Sequence, residues 1–262
     1  MEFIVAILLL NSLSFVLARL YWRVHGDLAT EFITPDDQTP NPELGHVFLI
    51  AGTGNQPKPA FAFMEPDLRE KGYAFTYLHY KQIGWNARVT ADQLRDAITP
   101  HEPCTLCTIS VGDHVARYLE RYTLPKLSVY AINPCPRRKT LQLKWKIALV
   151  ALAPLAQIVC HLLGWLSLIP VVPSVAGKFS LMLMVDQYWS LAYDHPPRSF
   201  THTRGVVLSR SDEFLDNDQI KREFWTAKSL TIPSKHGDTV DNAPEYWQAM
   251  IYLKEQTTVG RS

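Results

Sequence analysis

A serine, an aspartate and a histidine, each set just past a short apolar run, are the residues whose types and order could carry chemistry in this 262-residue chain. Ser110 lies in Thr108-Ile109-Ser110-Val111-Gly112, where the run 105–109 gives way to helical spacing. Small residues on both sides are what a tight turn requires if it is to present a hydroxyl outward and leave backbone N–H groups free. Asp212 follows the run 205–210 within SRSDEF, and His236 follows 229–233 within PSKHGD. A hydroxyl made nucleophilic by an imidazole that a carboxylate orients performs acyl transfer through a covalent intermediate. Each residue also has a plain reading. Ser110 alone is a turn serine, and His236 stands in a polar turn of surface type. Asp212 shares an acidic loop with Glu213, Asp216 and Asp218, so that Glu213 or Asp216 is an alternative third member. The order Ser, Asp, His after three separate runs favours the joint reading over three coincidences.

Other reactive side chains fit supporting roles. His114 is one helical turn past Ser110, pointing along the helix that follows, and is assigned a structural place beside the site. Asp113 adds a carboxylate near the nucleophile, either acting on a neighbouring imidazole or facing solvent. His161, in an apolar stretch, reads as a buried histidine with a partner. Cys104 and Cys107 form a C-x-x-C spacing without the second pair or nearby histidine of a zinc site, so the four cysteines read as reduced and structural, and no metal is implied.

The elements that must position these residues alternate. Apolar runs at 46–52, 73–80, 105–109, 127–133, 205–210 and 229–233 have the content of buried strands. Between them lie helical patterns: one closed by Gly72, one whose start is marked by Thr90 and Gln93 at capping-box spacing, one carrying Val115, Tyr118 and Leu119 on a single face, and a last one opening near Asn242. Alternation of this kind predicts an α/β fold with a doubly wound, mainly parallel sheet, whose ligands bind at the carboxyl ends of the strands.

Three segments depart from the pattern. Residues 3–18 carry no charge and are followed by Arg19, Tyr21, Trp22 and Arg23. They read as an N-terminal membrane helix within 1–26, with the catalytic domain expected in the cytoplasm because the positive charges follow the apolar run; a cleaved secretory signal is the alternative. Residues 27–44, with TPDDQTPNPE, read as a linker before a domain over 45–262. Residues 134–203 are too long for a crossover and read as an inserted cap. The cap opens with Arg137, Arg138, Lys139, Lys144 and Lys146, then runs uncharged over 147–177. Pro154, Gly164, Pro170 and Pro173 are expected to break it into pieces, making an apolar helical cap whose face either packs or touches lipid; a second span near 147–169 is the further alternative. The cap aromatics Trp165, Tyr188, Trp189 and Tyr193 either pack, line a pocket or sit at a lipid interface. Twenty-six Lys and Arg against 25 Asp and Glu give no basic excess for holding nucleic acid.

Residues 45–134 and 205 onward resemble the α/β-hydrolase fold, with TISVG as a variant of its nucleophile elbow in which Thr108 takes the place of the usual first glycine. The resemblance implies Ser110 as nucleophile, His236 as general base and then acid, and Asp212 as the orienting carboxylate. It implies backbone N–H groups of Thr53 and Val111 as the oxyanion hole, and no cofactor. The expectation is then a serine hydrolase cleaving an ester or thioester of a small-molecule or lipid acyl substrate at a membrane. A noncatalytic member of the fold, using its cap to bind a lipid or protein partner, is the other expectation.

Overall fold

The computed structural model describes residues 30–258 apart from 53, 54, 82–84, 102, 166–170, 175, 176 and 237–242, together with positions 5, 6, 9, 12, 13, 16, 17 and 20. Its strands are β1 (Thr30–Ile33), β2 (His46–Ile50), β3 (Ala74–Tyr80), β4 (Cys104–Ile109), β5 (Leu127–Ile132), β6 (Val171–Ser174), β7 (Gly177–Ser180), β8 (Thr203–Ser209) and β9 (Lys228–Ile232). Seven of them make one sheet in the order β1-β3-β2-β4-β5-β8-β9, while β6 and β7 form a separate hairpin. Every pairing in the large sheet is parallel except β1 with β3. The chain leaves β2 for β3 on one side and later enters β4 on the other. The switch point therefore lies between the carboxyl ends of β2 and β4, where open α/β sheets place their ligands.

The helices are α1 (Pro57–Ala60), α2 (Glu65–Glu70), α3 (Ala87–Ile98), α4 (Gly112–Leu119), α5 (Leu143–Trp165), α6 (Leu181–Tyr193), α7 (Asn217–Glu223) and α8 (Ala243–Thr258). Alternate side chains of each strand enter opposite layers. Phe48 and Ile50 of β2 join Leu94, Val115 and Ile220 on the α3, α4 and α7 face. Val47 and Leu49 join Met64, Leu68, Met250 and Leu253 on the α2 and α8 face. Strands buried on both faces are the reason they appear in the sequence as continuous apolar runs.

Several expectations are corrected. Thr30–Ile33, assigned to the linker, is an antiparallel edge strand on β3, with Phe32 packed against the core. Helix α3 starts three residues before the Thr90 expected to cap it. The Asn86 side chain accepts from the N–H groups of Arg88 and Val89, and Thr90 is buried one turn in. The cap is not broken at Pro154 or Gly164, because α5 runs through both for 23 residues. Proline at 154 has no N–H for the Val150 carbonyl, and the Tyr193 hydroxyl donates to that oxygen instead (2.5 Å). Helix α6 lies antiparallel beneath α5, since Tyr193 meets Val150 while Asp186 meets Gln157 and His161. By length and composition Leu143–Leu163 could cross a membrane. However, β5 and β8, the strands before and after the insertion, are paired neighbours in one sheet. The N-terminal segment 1–26 lies largely outside the described residues. The described positions there are helical, and Val5, Leu9, Leu13, Val16 and Leu20 are exposed.

Candidate active site

Strand β4 ends at Ile109, and the next residue, Ser110, adopts φ 51°, a left-handed conformation costly for a side chain with a Cβ. The surroundings hold it there. The Ser110 N–H donates to Ile132 O of β5 (2.9 Å), and the Ser110 carbonyl accepts from Cys135 N (3.0 Å) and Asp113 N (3.1 Å). Two glycines admit the approach of the β2 end to this turn. A Cβ on Gly112 would meet Ile50 O at 2.7 Å and Ala51 O at 2.8 Å, and one on Gly52 would meet the Ser110 Cβ at 2.8 Å. Thr108 is fully buried within β4, so its side chain is accommodated where glycine is commoner in such turns.

The structure brings together the three residues singled out by order. The Ser110 hydroxyl donates to His236 Nε2 (2.9 Å), and His236 Nδ1–H donates to Asp212 Oδ2 (2.7 Å). The carboxylate assigns the tautomer: with the proton on Nδ1, Nε2 is left as the acceptor facing the serine. The other oxygen of Asp212, Oδ1, accepts from the backbone N–H groups of Phe214 (2.9 Å) and Leu215 (2.8 Å), so three donors converge on one buried carboxylate. Asp216 is occupied elsewhere, capping α7 through Gln219 N (2.9 Å), while Glu213 Oε2 accepts only weakly from His236 N (3.4 Å). The acidic loop is fastened by the start of the cap. Gln142 Nε2 donates to Asp212 O (2.9 Å), and the Trp145 indole N–H donates to Glu213 O (3.0 Å).

The neighbours of the elbow are structural. His114 is buried, its Nδ1–H donating to Pro136 O (2.6 Å) and its ring lying against Trp85 and Tyr118. Asp113 does not face solvent and is wholly buried, 3.4 Å from Arg117 Nε. Burial pushes its carboxyl up, with the Arg117 guanidinium opposing the shift. Arg117 in turn reaches Ser199 O and Thr203 Oγ1 and lies 4.0 Å over the Phe200 ring, tying α4 to the approach of β8. All four cysteines are buried thiols, with Cys107 and Cys135 pushed up to about 12 by burial. His161 pairs with Asp186 (2.8 Å) in the cap. Among the described residues no cluster of histidine, cysteine and carboxylate is placed to hold a metal ion.

Asn133 escaped the sequence reading. It follows β5 at φ 45° and is fully buried. Its Oδ1 accepts from Ser209 N (2.7 Å), and its Nδ2 donates to Ser209 Oγ (2.7 Å), Tyr246 OH (3.2 Å) and His236 O (3.4 Å). Tyr246 OH and Ser209 Oγ both donate to Lys235 O. This polar cluster supports the loop that carries His236. The available signal was an asparagine immediately after a strand, the residue type that best tolerates left-handed backbone apart from glycine.

For the oxyanion hole, Val111 follows the nucleophile at the start of α4, where first-turn N–H groups lack intrahelical partners and the helix dipole is positive. Thr53 lies outside the described residues. A separate cavity of about 460 Å³, lined by Val47, Met64, Cys107 and Met250 among others, lies under α2 and α8 and contains none of the three site residues.

No family model matches the sequence, and a search of curated proteins finds no significant match. Solved structures do match. A carboxylesterase of the thaumarchaeon Nitrososphaera gargenis superposes with a TM-score of 0.60 at 12% identity, covering 88% of this chain and 96% of its own. A thermophilic esterase from Thermogutta terrifontis gives 0.61 at 12% identity, covering 87% and 93%. The thioesterase domain from the curacin biosynthetic pathway gives 0.54 at 14% identity, covering 86% and 99%. Identities this low carry a shared fold and leave the chemistry to the residues of the site.

Proposed function

We propose, on the premise that the chain has the α/β-hydrolase fold its structural relatives show, that it is a serine hydrolase cleaving an ester or thioester bond of a lipophilic acyl substrate. The observation that carries this reading is the hydrogen-bonded chain from Ser110 through His236 to Asp212, anchored on a strained turn at the switch point of the sheet. In this reading His236 Nε2 takes the Ser110 proton as Oγ attacks the acyl carbonyl. The negative charge then formed on the carbonyl oxygen is met by the Val111 N–H and, as the second donor, the Thr53 N–H. His236 returns the proton to the departing alcohol or thiol, leaving the acyl group on Ser110. Water, activated by the same imidazole, then releases the acid and restores the serine. Asp212 keeps Nδ1 protonated and stabilises the imidazolium that forms in each half. These steps draw on the three side chains and the N–H donors, with no cofactor.

The lipophilic character of the substrate is inferred from the uncharged stretch 3–18 and from the apolar cap. A membrane-anchored enzyme with its hydrolase domain on the cytoplasmic side fits Arg19 and Arg23 following the apolar run. The test is hydrolysis of p-nitrophenyl esters of graded chain length by wild type and Asp212→Asn. Wild type is expected to turn over, faster with longer acyl chains, and Asp212→Asn to fall by about 10³ to 10⁴ in kcat, as when an orienting carboxylate is lost elsewhere. Folded wild type that hydrolyses none of the series would favour a noncatalytic role for the fold.

A further inference from the structure

Helix α5 departs from a helix in water in that apolar side chains cover its outer side as well as its inner one, where Ala153, Ile158 and Cys160 are buried. Its side chains turned toward α6 include polar ones: Gln157 Nε2 and His161 Nε2 both bond to Asp186 Oδ1, at 3.1 and 2.8 Å, and all three residues are buried. Its outer side carries Leu143, Ile147, Leu152, Leu155, Val159 and Leu162, exposed by between 47% and 71%. At about 100° per residue they cover roughly half of the helix circumference, along a helix about 34 Å long at 1.5 Å per residue for its 23 residues. A surface helix in water places its apolar stripe inward and its polar residues outward. A helix that is apolar on its outer side too, with its few polar groups meeting one another inside, suits an outer medium of lipid.

Charge and aromatic placement agree on that medium. The charged residues of α5 are Lys144 and Lys146, both in its first turn, next to Trp145 and preceded by Arg138 and Lys139. Long basic side chains with a tryptophan at one end of an apolar helix suit the headgroup layer, where the ammonium groups meet anionic lipid and the indole sits at the boundary. We propose that the outer face of α5 is embedded in the membrane, its basic first turn at the anionic headgroups. The lipid contact stands on the helix itself; its consequence for catalysis rests on the hydrolase reading. Leu143 and Ile147 flank Trp145, whose ring lies 5.0 Å from that of Phe214, and the Phe214 ring is 5.3 Å from His236. Two aromatic rings, Trp145 and Phe214, therefore connect the first turn of α5 to His236, which places the candidate triad close to the end of the helix proposed to meet the headgroups.

The buried cysteines allow a direct test in the full chain, since a single introduced thiol is the accessible one among the described positions. Leu155→Cys, Val159→Cys and, as reference, Tyr252→Cys at an exposed position of α8 are labelled with an environment-sensitive nitrobenzoxadiazole probe. Each is reconstituted in phosphatidylcholine vesicles containing phosphatidylglycerol, with and without doxyl-labelled lipid. Emission at 155 and 159 is expected to shift to the blue and to be quenched by doxyl lipid severalfold more than at 252. Emission at 155 and 159 matching that at 252 would overturn the proposal. Shielding that grows with protein concentration without lipid quenching would also overturn it, in favour of a second copy on this face. A Leu155→Asp/Val159→Asp variant, whose thermal unfolding is checked first, should lose about tenfold or more in hydrolysis of a vesicle-embedded ester while keeping its rate on a short soluble ester. Equal losses on both substrates would count against the proposal. Absence of hydrolysis on either, with lipid quenching intact, would instead sink the hydrolase reading alone.

Discussion

Gly52 and Ser110 are packed so closely that a methyl group on the glycine would sit 2.8 Å from the serine Cβ and 2.9 Å from Ile109 O. The end of β2 thus presses directly on the turn that holds the candidate nucleophile. Gly52→Ala must push one of the two away, and Ser110 is the smaller obstacle because the other is backbone. Esterase kcat is expected to drop about 100-fold, the scale of an ångström of misplacement at a reacting group. Gly112→Ala faces two backbone carbonyls and is expected to cost roughly 1–3 kcal/mol of stability instead. Kinetics and thermal unfolding on both variants separate the two effects; a Gly52→Ala enzyme with full activity would contradict the assigned contact.

Asn133 predicts a positioning effect without substrate contact. Asn133→Ala removes the acceptor of Ser209 N and the donor to the His236 carbonyl, and leaves a non-glycine, non-asparagine residue at φ 45°. The expected result is a loss of about 10- to 100-fold in kcat with KM little changed, because the imidazole loses its seat while the acyl site is untouched. Asn133→Gly, which tolerates the same φ, should recover stability without recovering kcat. Recovery of both would mean that backbone conformation alone explains the asparagine.

A pH effect on stability is expected at the opposite end of β2. His46 is buried against Thr76 Oγ1 (2.8 Å), with the His101 ring 4.5 Å away. Burial, with the charge of His101 adding to it, lowers the His46 imidazole from about 6.5 to about 4. Above pH 6.5 both folded and unfolded chains hold it neutral. As pH falls from about 6.5 to about 4, the unfolded chain takes up a proton that the folded one refuses, so stability is lost through that window. His79, lowered by burial, acts in the same direction. Urea midpoints measured across this range should fall for wild type and fall less for His46→Gln; parallel curves would assign the loss to other groups.

What could be read from residue types alone was governed by local physics. Strands β2, β4 and β5 stood out because a parallel sheet covered on both faces requires unbroken apolar runs, and Ser110 and Asp212 were found by standing just beyond such runs, whereas His236 follows the partly exposed edge strand β9. The misreadings came from partners distant in sequence. Pro154 is a helix breaker by its own chemistry, and Tyr193, 43 residues past Val150, satisfies the Val150 carbonyl it strands. Asn133 is unremarkable until Ser209 and Tyr246 surround it. Thr30–Ile33 is too short to declare itself as a strand and gains its conformation from β3. Asn86 outcompeted Thr90 as a cap because it reaches two N–H groups from extended backbone, whereas Thr90 is buried one turn into the helix.

The most direct measurement is intact mass of the detergent-solubilised protein after reaction with a fluorophosphonate, followed by mapping of the adduct. An activated hydroxyl attacks phosphorus where an ordinary turn serine does not. One adduct per chain, located on Ser110 and abolished in folded Ser110→Ala and His236→Ala, is the predicted result. Folded wild type that remains unmodified, or carries its adduct on another residue, would contradict the account.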